Sequence, residues 1–515
     1  MRNSGRDSGD DVSSLVLRGA RLVGDGRVVD VELAGERIAA IRPAVPHGPR
    51  AGNRNSTGRD TTSREINLDG RWLMPGLWDA HVHFTQWARQ AGRISVSAAT
   101  SAAHAVSLLR SSDPGGDHGS VHAPGTWLVG RGFQDALWPD APTAHALDAA
   151  FPGRAVVVVS HDLHSVWLNS QAATRLGASS PGLIREDAAF AAQIALDALV
   201  SSGDDTRLLA HAARGASARG VVGIRDLEMA DNVASWAARV DRGLTSLRVE
   251  ACIYPAHLAA SDARGLPSGA AVPGSRGLVT VGGLKIFADG ALNTRTALTH
   301  KPYGGRAGSA TEPSVGHAAH TEDELRELLR AAKERGLEVA LHAIGDLAVS
   351  RALDAFSATD ARGSIEHAQL VRTEDLPRFA ALGVAASIQP QHALDDRDVT
   401  DAVWGDRATR AFAYRSLQDA GARLLLGSDA PVAPLDPWIS IAAAVTRTDD
   451  EREPWHPEQA LTREAALAAS VRTRVALGEP ADLVAVEADP LVADAATLRE
   501  MSVALTVVAG QVTYE

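Results

Sequence analysis

Residues 73–83 have the sequence Leu-Met-Pro-Gly-Leu-Trp-Asp-Ala-His-Val-His, in which an apolar run leads into two histidines. Side chains alternate between the faces of a strand, so His81 and His83 are predicted to point the same way at a strand end. Such a pair suits a metal ion that takes nitrogen ligands on one side and keeps other positions open. The spacing alone is weak evidence, because roughly one such pair is expected by chance in a chain of this histidine content. Two solvated loop histidines are the alternative.

Composition limits the classes of function. The chain has 515 residues, 45% of them hydrophobic, enough for one barrel-sized domain and a smaller one. Its net charge of −12 arises from mixed charges without a basic stripe, so no nucleic-acid partner is expected. Cys252 is the only cysteine, which excludes an intramolecular disulfide and a cysteine-rich zinc site. No signal peptide and no apolar run of about 18 residues is visible, so we expect a cytoplasmic protein without a membrane partner.

The two ends of the chain share a β-like pattern. Residues 1–11 are polar and are expected to form a disordered leader. Short apolar runs separated by glycine turns follow up to about residue 70, and similar runs occupy 481–486 and 503–512. We predict that residues 12–70 and 471–515 pair into one composite β-sandwich domain. Two independent sheet edges are the alternative.

The middle of the chain, residues 71–470, alternates apolar strands with helical segments. One helix opens with a capping box formed by Thr321 and Glu324. The stretch at about 87–219 breaks the rhythm and is interpreted as a large insertion after the first barrel strand. Eight strand–helix repeats predict an α/β fold of the (β/α)8 TIM-barrel type, whose active site lies at the C-terminal ends of its strands. With the strand at His81, the strand candidates are 221–225, 247–253, 279–287, 337–341, 364–366, 384–388 and 424–426.

Residues that can bind a metal or act as a base recur at these strands. Each has an ordinary structural explanation: the lysine could reach the surface, a histidine could be a hydrogen-bonded core residue, and the aspartate could cap a helix. Taken together they would share one end of one barrel, where such a fold builds its site. The series consists of His81, His83, Lys285, His342, His367 and Asp429.

The sequence around this series resembles the metal-dependent amidohydrolase superfamily. More narrowly, it is similar to the branch called amidohydrolase family three, which includes N-substituted formamide deformylase. The likeness extends over nearly the whole chain. The stretches that carry it are PGLWDAHVHF (75–84), LKIFADGAL (284–292), HAIGD (342–346), IEHAQ (365–369), SIQPQH (387–392), GSDAPV (427–432) and ADLV (481–484).

The resemblance implies two divalent ions and a hydroxide between them as the nucleophile. Zinc is the metal expected, and iron, nickel and manganese are the alternatives because nitrogen and carboxylate ligands accept them too. Burial on an apolar strand would lower the lysine pKa and leave a free amine able to take up CO₂. The roles implied are His81 and His83 on the more buried ion, His342 and His367 on the second, carboxylated Lys285 bridging both, and Asp429 as ligand of the first ion and proton shuttle.

The resemblance also extends to a motif in the insertion, HDLHSVWLNS (161–170). It implies that this motif faces the substrate, while other polar groups support the site from the barrel. The alternative is that the motif packs in the core of the insertion. The sequence departs from the family pattern at Asn293, where glycine is usual, and this change is expected to reshape the edge of the pocket. The candidate substrate-binding residues are His161, His164, Trp167, Asn169, Asp289, Arg295, Gln389 and His392.

The reaction that these expectations favour is hydrolysis of a non-peptide C–N bond in an amide or an N-formyl or N-acyl amine. A deaminase is less favoured, because His342 is followed by Ala-Ile-Gly-Asp instead of an early glutamate. Ester or lactone hydrolysis stays open, since the metal chemistry would be the same. A metal-free scaffold that lost its activity is the alternative of another class. The expected partner is a small-molecule substrate, and a homodimer is the assembly considered.

Overall fold

The computed structural model describes residues 14–44, 63–90, 92–113, 127–200, 205–303 and 314–515. Within these ranges the chain forms three β-sheets surrounded by helices. The leader expected at 1–11 lies outside the described residues.

The strands are β1 (Ser14–Leu22), β2 (Val28–Ala34), β3 (Arg37–Pro43), β4 (Ser63–Asn67), β5 (Trp72–Pro75), β6 (Leu77–Val82), β7 (Ile94–Ser95), β8 (Trp127–Phe133), β9 (Ala155–Ser160), β10 (Ser165–Leu168), β11 (Gly182–Arg185), β12 (Val221–Asp226), β13 (Arg248–Ile253), β14 (Val279–Phe287), β15 (Val339–Ala343), β16 (Gly363–His367), β17 (Ala385–Ile388), β18 (Leu424–Leu426), β19 (Leu483–Val486), β20 (Val503–Val508) and β21 (Gln511–Tyr514).

The helices are α1 (Phe84–Gln90), α2 (Ala102–Ser111), α3 (Ala144–Ala150), α4 (Ser170–Leu176), α5 (Asp187–Val200), α6 (Thr206–Ser217), α7 (Asn232–Asp241), α8 (Leu258–Arg264), α9 (Glu322–Glu334), α10 (Asp346–Thr359), α11 (Leu376–Leu382), α12 (Pro390–Asp395), α13 (Arg397–Trp404), α14 (Tyr414–Asp419), α15 (Pro437–Thr446), α16 (Arg463–Ala469) and α17 (Ala495–Arg499). Short 3-10 helices occupy Pro255–His257, Gly405–Arg410 and Pro457–Gln459.

The barrel consists of eight parallel strands in the order β6, β12, β13, β14, β15, β16, β17, β18. The last strand returns to the first, because Val82 pairs with Ala430 in a parallel bridge. Every residue of β12, β15, β16 and β17 is buried, as expected when helices cover one face of a parallel sheet and the barrel interior the other. All eight predicted strands are present, and the TIM-barrel prediction is confirmed.

The two ends of the chain meet in a second sheet. Its strands follow the order β21, β20, β19, β5, β1, β2, β3, with β4 beside β1, so strands from both ends are hydrogen-bonded neighbours. The sheet folds back on itself, since Ala481 N donates to the Glu36 carbonyl at 2.8 Å and Gly510 N to the Ala481 carbonyl at 3.0 Å. Its inward side chains, from Leu15 to Val507, form one apolar cluster. The predicted pairing of the chain ends is therefore present.

The insertion forms a third sheet, in the order β11, β10, β9, β8, β7, between the first and second barrel strands. β9 and β10 are buried throughout, because residues on one face pack with α4 and α5 and residues on the other with α2 and α3. The insertion thus has a core of its own and stands over one side of the barrel mouth.

The predicted start of α9 is confirmed. The Thr321 hydroxyl accepts from the Glu324 backbone N–H, and the Glu324 carboxylate accepts from the Thr321 N–H. Leu325 and Leu329 of this helix are buried against the barrel. None of the helices within the described ranges is long and apolar enough to span a membrane.

Candidate metal centre

The six residues of the predicted series line one cavity at the C-terminal end of the barrel strands. They come from five different strand ends. His81 lies in β6 with His83 directly after it, Lys285 lies in β14, and His342 and His367 lie at the ends of β15 and β16. Asp429 follows β18. The structure thus brings these six residues together, and their individual roles stay predictions.

Asp429 lies at the middle of the group. Its Oδ1 is 3.5 Å from Nε2 of both His81 and His83, and its Oδ2 is 3.9 Å from Nδ1 of His367. His81, His367 and Asp429 each offer a ligand atom, and these three atoms lie within 4.8 Å of one another. Burial opposes the charge of Asp429, but the surrounding histidines hold the pKa of its carboxyl well below the ordinary range. A buried carboxylate among imidazole nitrogens is a donor set that a divalent cation would complete.

His342 and Lys285 lie on the other side of His367. The rings of His342 and His367 are 4.6 Å apart, and Nε2 of His342 donates to the Gly290 carbonyl at 3.1 Å. Because a carbonyl only accepts, that nitrogen carries the proton and Nδ1 keeps its lone pair. Lys285 is 1% exposed, and this burial lowers the pKa of its ammonium to about 8. A free amine is therefore accessible near neutral pH at this position.

A chain of buried charges holds His81 in place. Nδ1–H of His81 donates to Glu366 at 2.8 Å, and Glu366 in turn pairs with Arg225 at 3.0 Å. Arg225 lies 3.0 Å from Glu250, which reaches Arg472 at 2.5 Å. Burial opposes the charge of Glu366, yet Arg225 and His81 hold its pKa well below the ordinary range. Burial and the nearby Lys285 lower the pKa of His81 to about 4, so its Nε2 stays unprotonated and faces Asp429.

Asp79 links β6, the first barrel strand, to the end of β18, the last one, through hydrogen bonds. Its Oδ1 accepts from the backbone N–H of His81 at 3.1 Å and of Ser428 at 2.9 Å, and burial raises its pKa to about 7. Gly427 permits this close approach, because a Cβ at that position would lie 2.7 Å from the backbone nitrogen of His81. The two strand ends are therefore held together, which brings Asp429 next to the histidine pair.

Three of the predicted substrate-binding residues, His161, His164 and His392, line the cavity. Nδ1–H of His164 donates to Glu186 at 2.8 Å, so its other nitrogen is directed away from the insertion. Nε2–H of His392 donates to Oδ2 of Asp429 at 3.2 Å.

Trp167 and Asn169 lie elsewhere. The Trp167 ring is fully buried between α2 and α3, and its Nε1–H donates to the Thr143 carbonyl at 2.9 Å. Asn169 caps α4, with its side-chain oxygen accepting from Ala172 N at 2.9 Å and Val156 N at 3.0 Å. These contacts give both residues a structural role in the insertion, and neither lines the cavity.

The remaining candidates, Asp289, Arg295 and Gln389, also lie outside the cavity lining. Asp289 is buried behind His342, 3.5 Å from its Nε2, and accepts from the backbone N–H groups at 298, 344 and 345. Burial raises its pKa to about 7. Gln389 donates to the Ser387 carbonyl at 3.2 Å, and Arg295 is half-buried in a loop. Asp289 therefore lies behind His342 and outside the cavity lining.

The sequence prediction missed several groups that define the site. Asp79, Arg225, Glu250 and Glu366 were unassigned, although a charged residue inside a fully buried strand is a usable signal for a paired charge. The apolar wall of the cavity was also missed. It consists of Leu163, Phe190, Met229, Phe287, Leu292, Ile344 and Val432.

Comparison with known proteins agrees with this fold. Residues 64–514 match the profile of the Amidohydrolase family, and the chain belongs to this family of hydrolytic enzymes. The chain is 29% identical over 499 residues to the putative amidohydrolase YtcJ of Bacillus subtilis (strain 168), covering 88% of this chain and 91% of that protein. It is 27% identical over 258 residues to N-substituted formamide deformylase of Arthrobacter pascens, covering 46% of each chain.

A solved structure shows the same fold. An uncharacterized metal-dependent hydrolase from Pyrococcus horikoshii OT3 superposes with a TM-score of 0.72 at 24% identity, covering 94% of this chain and 99% of that one. The profile match over residues 64–514 confirms the family expected from the sequence motifs.

Proposed function

We propose that this chain is a metal-dependent hydrolase that cleaves the C–N bond of a small amide, such as an N-formyl or N-acyl amine. The observation that carries the proposal is the position of Asp429, whose two carboxylate oxygens face the histidines of β6, β16 and α12 in one cavity. The similarity to a protein named N-substituted formamide deformylase supports the N-formyl class.

The residues present fit a divalent metal. Nδ1 of His367 and of His83 are buried and have no hydrogen-bond partner within the described chain. The first ion would be held by His81, His83 and Asp429, and the second by His342 and His367, with Lys285 between them once carboxylated by CO₂. Nitrogen and carboxylate donors accept zinc, iron, nickel or manganese, and zinc is the metal that we propose. A bound divalent ion supplies acidified water and polarises a carbonyl at neutral pH.

Asp429 is the residue we assign to proton transfer. Its carboxylate is ionised, and the His392 N–H holds Oδ2 at 3.2 Å, which leaves Oδ1 directed at the histidine pair. It accepts the proton of the attacking water and returns that proton to the departing nitrogen, which is too basic to leave as an anion. The apolar wall around Phe190 and Phe287 excludes water and accommodates the substituent on the nitrogen.

A deaminase is less well supported, because the acidic residue nearest after His342 points elsewhere. Asp346 accepts from the His300 backbone N–H at 2.9 Å and pairs with Arg410 at 3.2 Å. It does not line the cavity. Two further alternatives, an esterase and a metal-free scaffold, are distinguished from the proposed amide hydrolase by the experiment below.

The test is a metal assay followed by a substrate panel. Purified protein is expected to hold about two divalent ions per chain and to lose activity on chelation. N-formyl and N-acyl amines should be cleaved faster than matched esters. Lys285→Ala should lower metal content, and a small added carboxylate should restore it. Absence of bound metal would favour the scaffold, and cleavage of esters alone would replace the amide proposal. The cytoplasmic location and the homodimer stay predictions.

A further inference from the structure

One polar side chain in the cavity has no role in the site described so far. Gln369 is 4% exposed and lines the cavity two residues beyond His367. Its Oε1 is buried without a hydrogen-bond partner among the described residues. Buried amides are rarely left unpaired, since the group gives up its hydrogen bonds to water on burial. An orphaned acceptor that faces a reaction cavity is therefore expected to be satisfied by the bound molecule.

The backbone before Gln369 has a strained conformation, and the Gln369 side chain that follows it lines the cavity. His367 and Ala368 are both in the left-handed region, with φ of +71° and +44°. Two consecutive non-glycine residues with positive φ are unfavourable and persist only where the surroundings impose them. Ala368 N holds the turn by donating to the carbonyls of Ala343 at 3.1 Å and Glu366 at 3.0 Å. This turn connects His367, which we propose as a metal ligand, to Gln369.

We propose that Gln369 accepts a hydrogen bond from the N–H of the scissile amide, and that the enzyme is thereby selective for secondary amides. This inference rests on the proposed amide hydrolysis and deepens it. An ester and an N,N-disubstituted amide lack that N–H, so they leave Oε1 unpaired in the complex. A site built around a hydrogen bond discriminates strongly against a substrate that lacks the group, because the buried partner then stays unsatisfied. Gln369 is thus a specificity-determining residue.

The test compares three matched substrates: the N-formyl derivative of a primary amine, which is a secondary amide, its N-methylated analogue and the corresponding formate ester. Gln369→Met keeps the side-chain length and removes both polar atoms. We expect kcat/KM for the secondary amide to fall at least about tenfold, while the values for the other two change by less than about twofold. Bound metal should be unchanged.

A stability measurement gives a readout independent of activity. Because Oε1 has no partner, Gln369→Met should leave Tm unchanged or raise it. The matched control is Gln193→Met, since Gln193 is equally buried but donates to the carbonyls of Leu163 at 2.8 Å and Ala189 at 3.3 Å. That control should lower Tm without altering selectivity.

The outcomes separate the two proposals. Equal losses on all three substrates, or a lower Tm with unchanged selectivity, would overturn the role of Gln369 and leave amide hydrolysis standing. A wild-type enzyme that cleaves only the ester would overturn both. If none of the three is turned over, calorimetric binding of the secondary amide and its N-methylated analogue decides. Gln369→Met must then weaken binding of the secondary amide more than binding of its N-methylated analogue. Equal effects on the two affinities would count against the inference.

Discussion

Nδ1–H of His81 donates to the carboxylate of Glu366 at 2.8 Å, and both side chains are completely buried. This contact selects the tautomer of His81 that presents Nε2 to Asp429. A carboxylate behind a ligating histidine fixes the ring orientation and strengthens the nitrogen as a ligand. The pair is the inner end of the charge chain that continues through Arg225 and Glu250, so the candidate metal centre is tied to the middle of the barrel.

Replacing the inner carboxylate tests this arrangement. Glu366→Gln keeps the shape of the side chain but removes its negative charge, so the buried Arg225 loses one of its two carboxylate partners. We therefore expect the free energy of unfolding to fall by about 3 kcal/mol. Metal affinity should fall about 10- to 100-fold. Urea denaturation and metal titration measure the two effects. Glu327→Gln, at an exposed position of α9, is the control and should change neither. Unaltered metal affinity in Glu366→Gln would show that His81 is oriented by other contacts.

Asp429→Asn tests the proton shuttle. The amide keeps a neutral oxygen near the histidines but can no longer take up a proton, so kcat should fall by about a hundredfold or more. Most of the metal should be retained, because the four histidines and Lys285 are unchanged. Steady-state kinetics together with metal analysis provide the measurement. Turnover close to wild type in this variant would assign the proton transfer to a different group.

Asp396 gives a pH-dependent prediction. It lies at the cavity wall, and burial raises its pKa to about 6, above the value of about 3.9 in an unfolded chain. The folded chain therefore binds this proton more tightly, and stability falls as pH rises from about 4 to 6. Asp396→Asn does not titrate, so its stability relative to wild type should increase across that window by about 1–2 kcal/mol, after a discount for partial exposure.

Chemical denaturation of the metal-free protein at pH 4, 5 and 6 would measure this difference. Asp241→Asn, at an exposed position, controls for the general effect of replacing one aspartate by asparagine. A flat difference for Asp396→Asn would mean that folding does not raise the pKa of its carboxyl.

The last prediction concerns the departure from the family pattern at Asn293. Its Oδ1 accepts from the backbone N–H of Ala136 at 3.2 Å, which ties a barrel loop to the insertion at the cavity edge. Asn293→Ala leaves that N–H without its partner, at a cost of about 1 kcal/mol. We expect faster amide hydrogen exchange around residue 136 and a higher KM. Mass spectrometry of the exchanged peptides checks the first effect, and an unchanged exchange rate would contradict the proposed link.

Much of the fold and the site was predictable because the information is local. Apolar runs identify barrel strands, and the known geometry of a parallel barrel places their C-terminal ends together. This is why His342 and His367 could be placed beside His81 from strand ends alone. Trp167 was proposed as a pocket residue from the resemblance alone, and the structure places it in the core of the insertion instead. Because β10 is buried on both faces, alternation along it cannot tell the cavity side from the core side.

The sequence by itself determined the barrel, the pairing of the chain ends and the set of groups able to bind a metal. Only the tertiary structure decided which charged residues pair behind the candidate metal ligands. It also decided that the side-chain amide oxygen of Gln369 has no hydrogen-bond partner among the described residues. The ion pair between Glu366 and Arg225 joins β16 to β12, which are separated by three strands, so it depends on the register of all of them. Gln369 lies in the cavity wall because the two residues before it have positive φ angles. Periodicity along a strand fixes the face of a side chain, but contacts across a sheet depend on register and closure, which no single stretch contains.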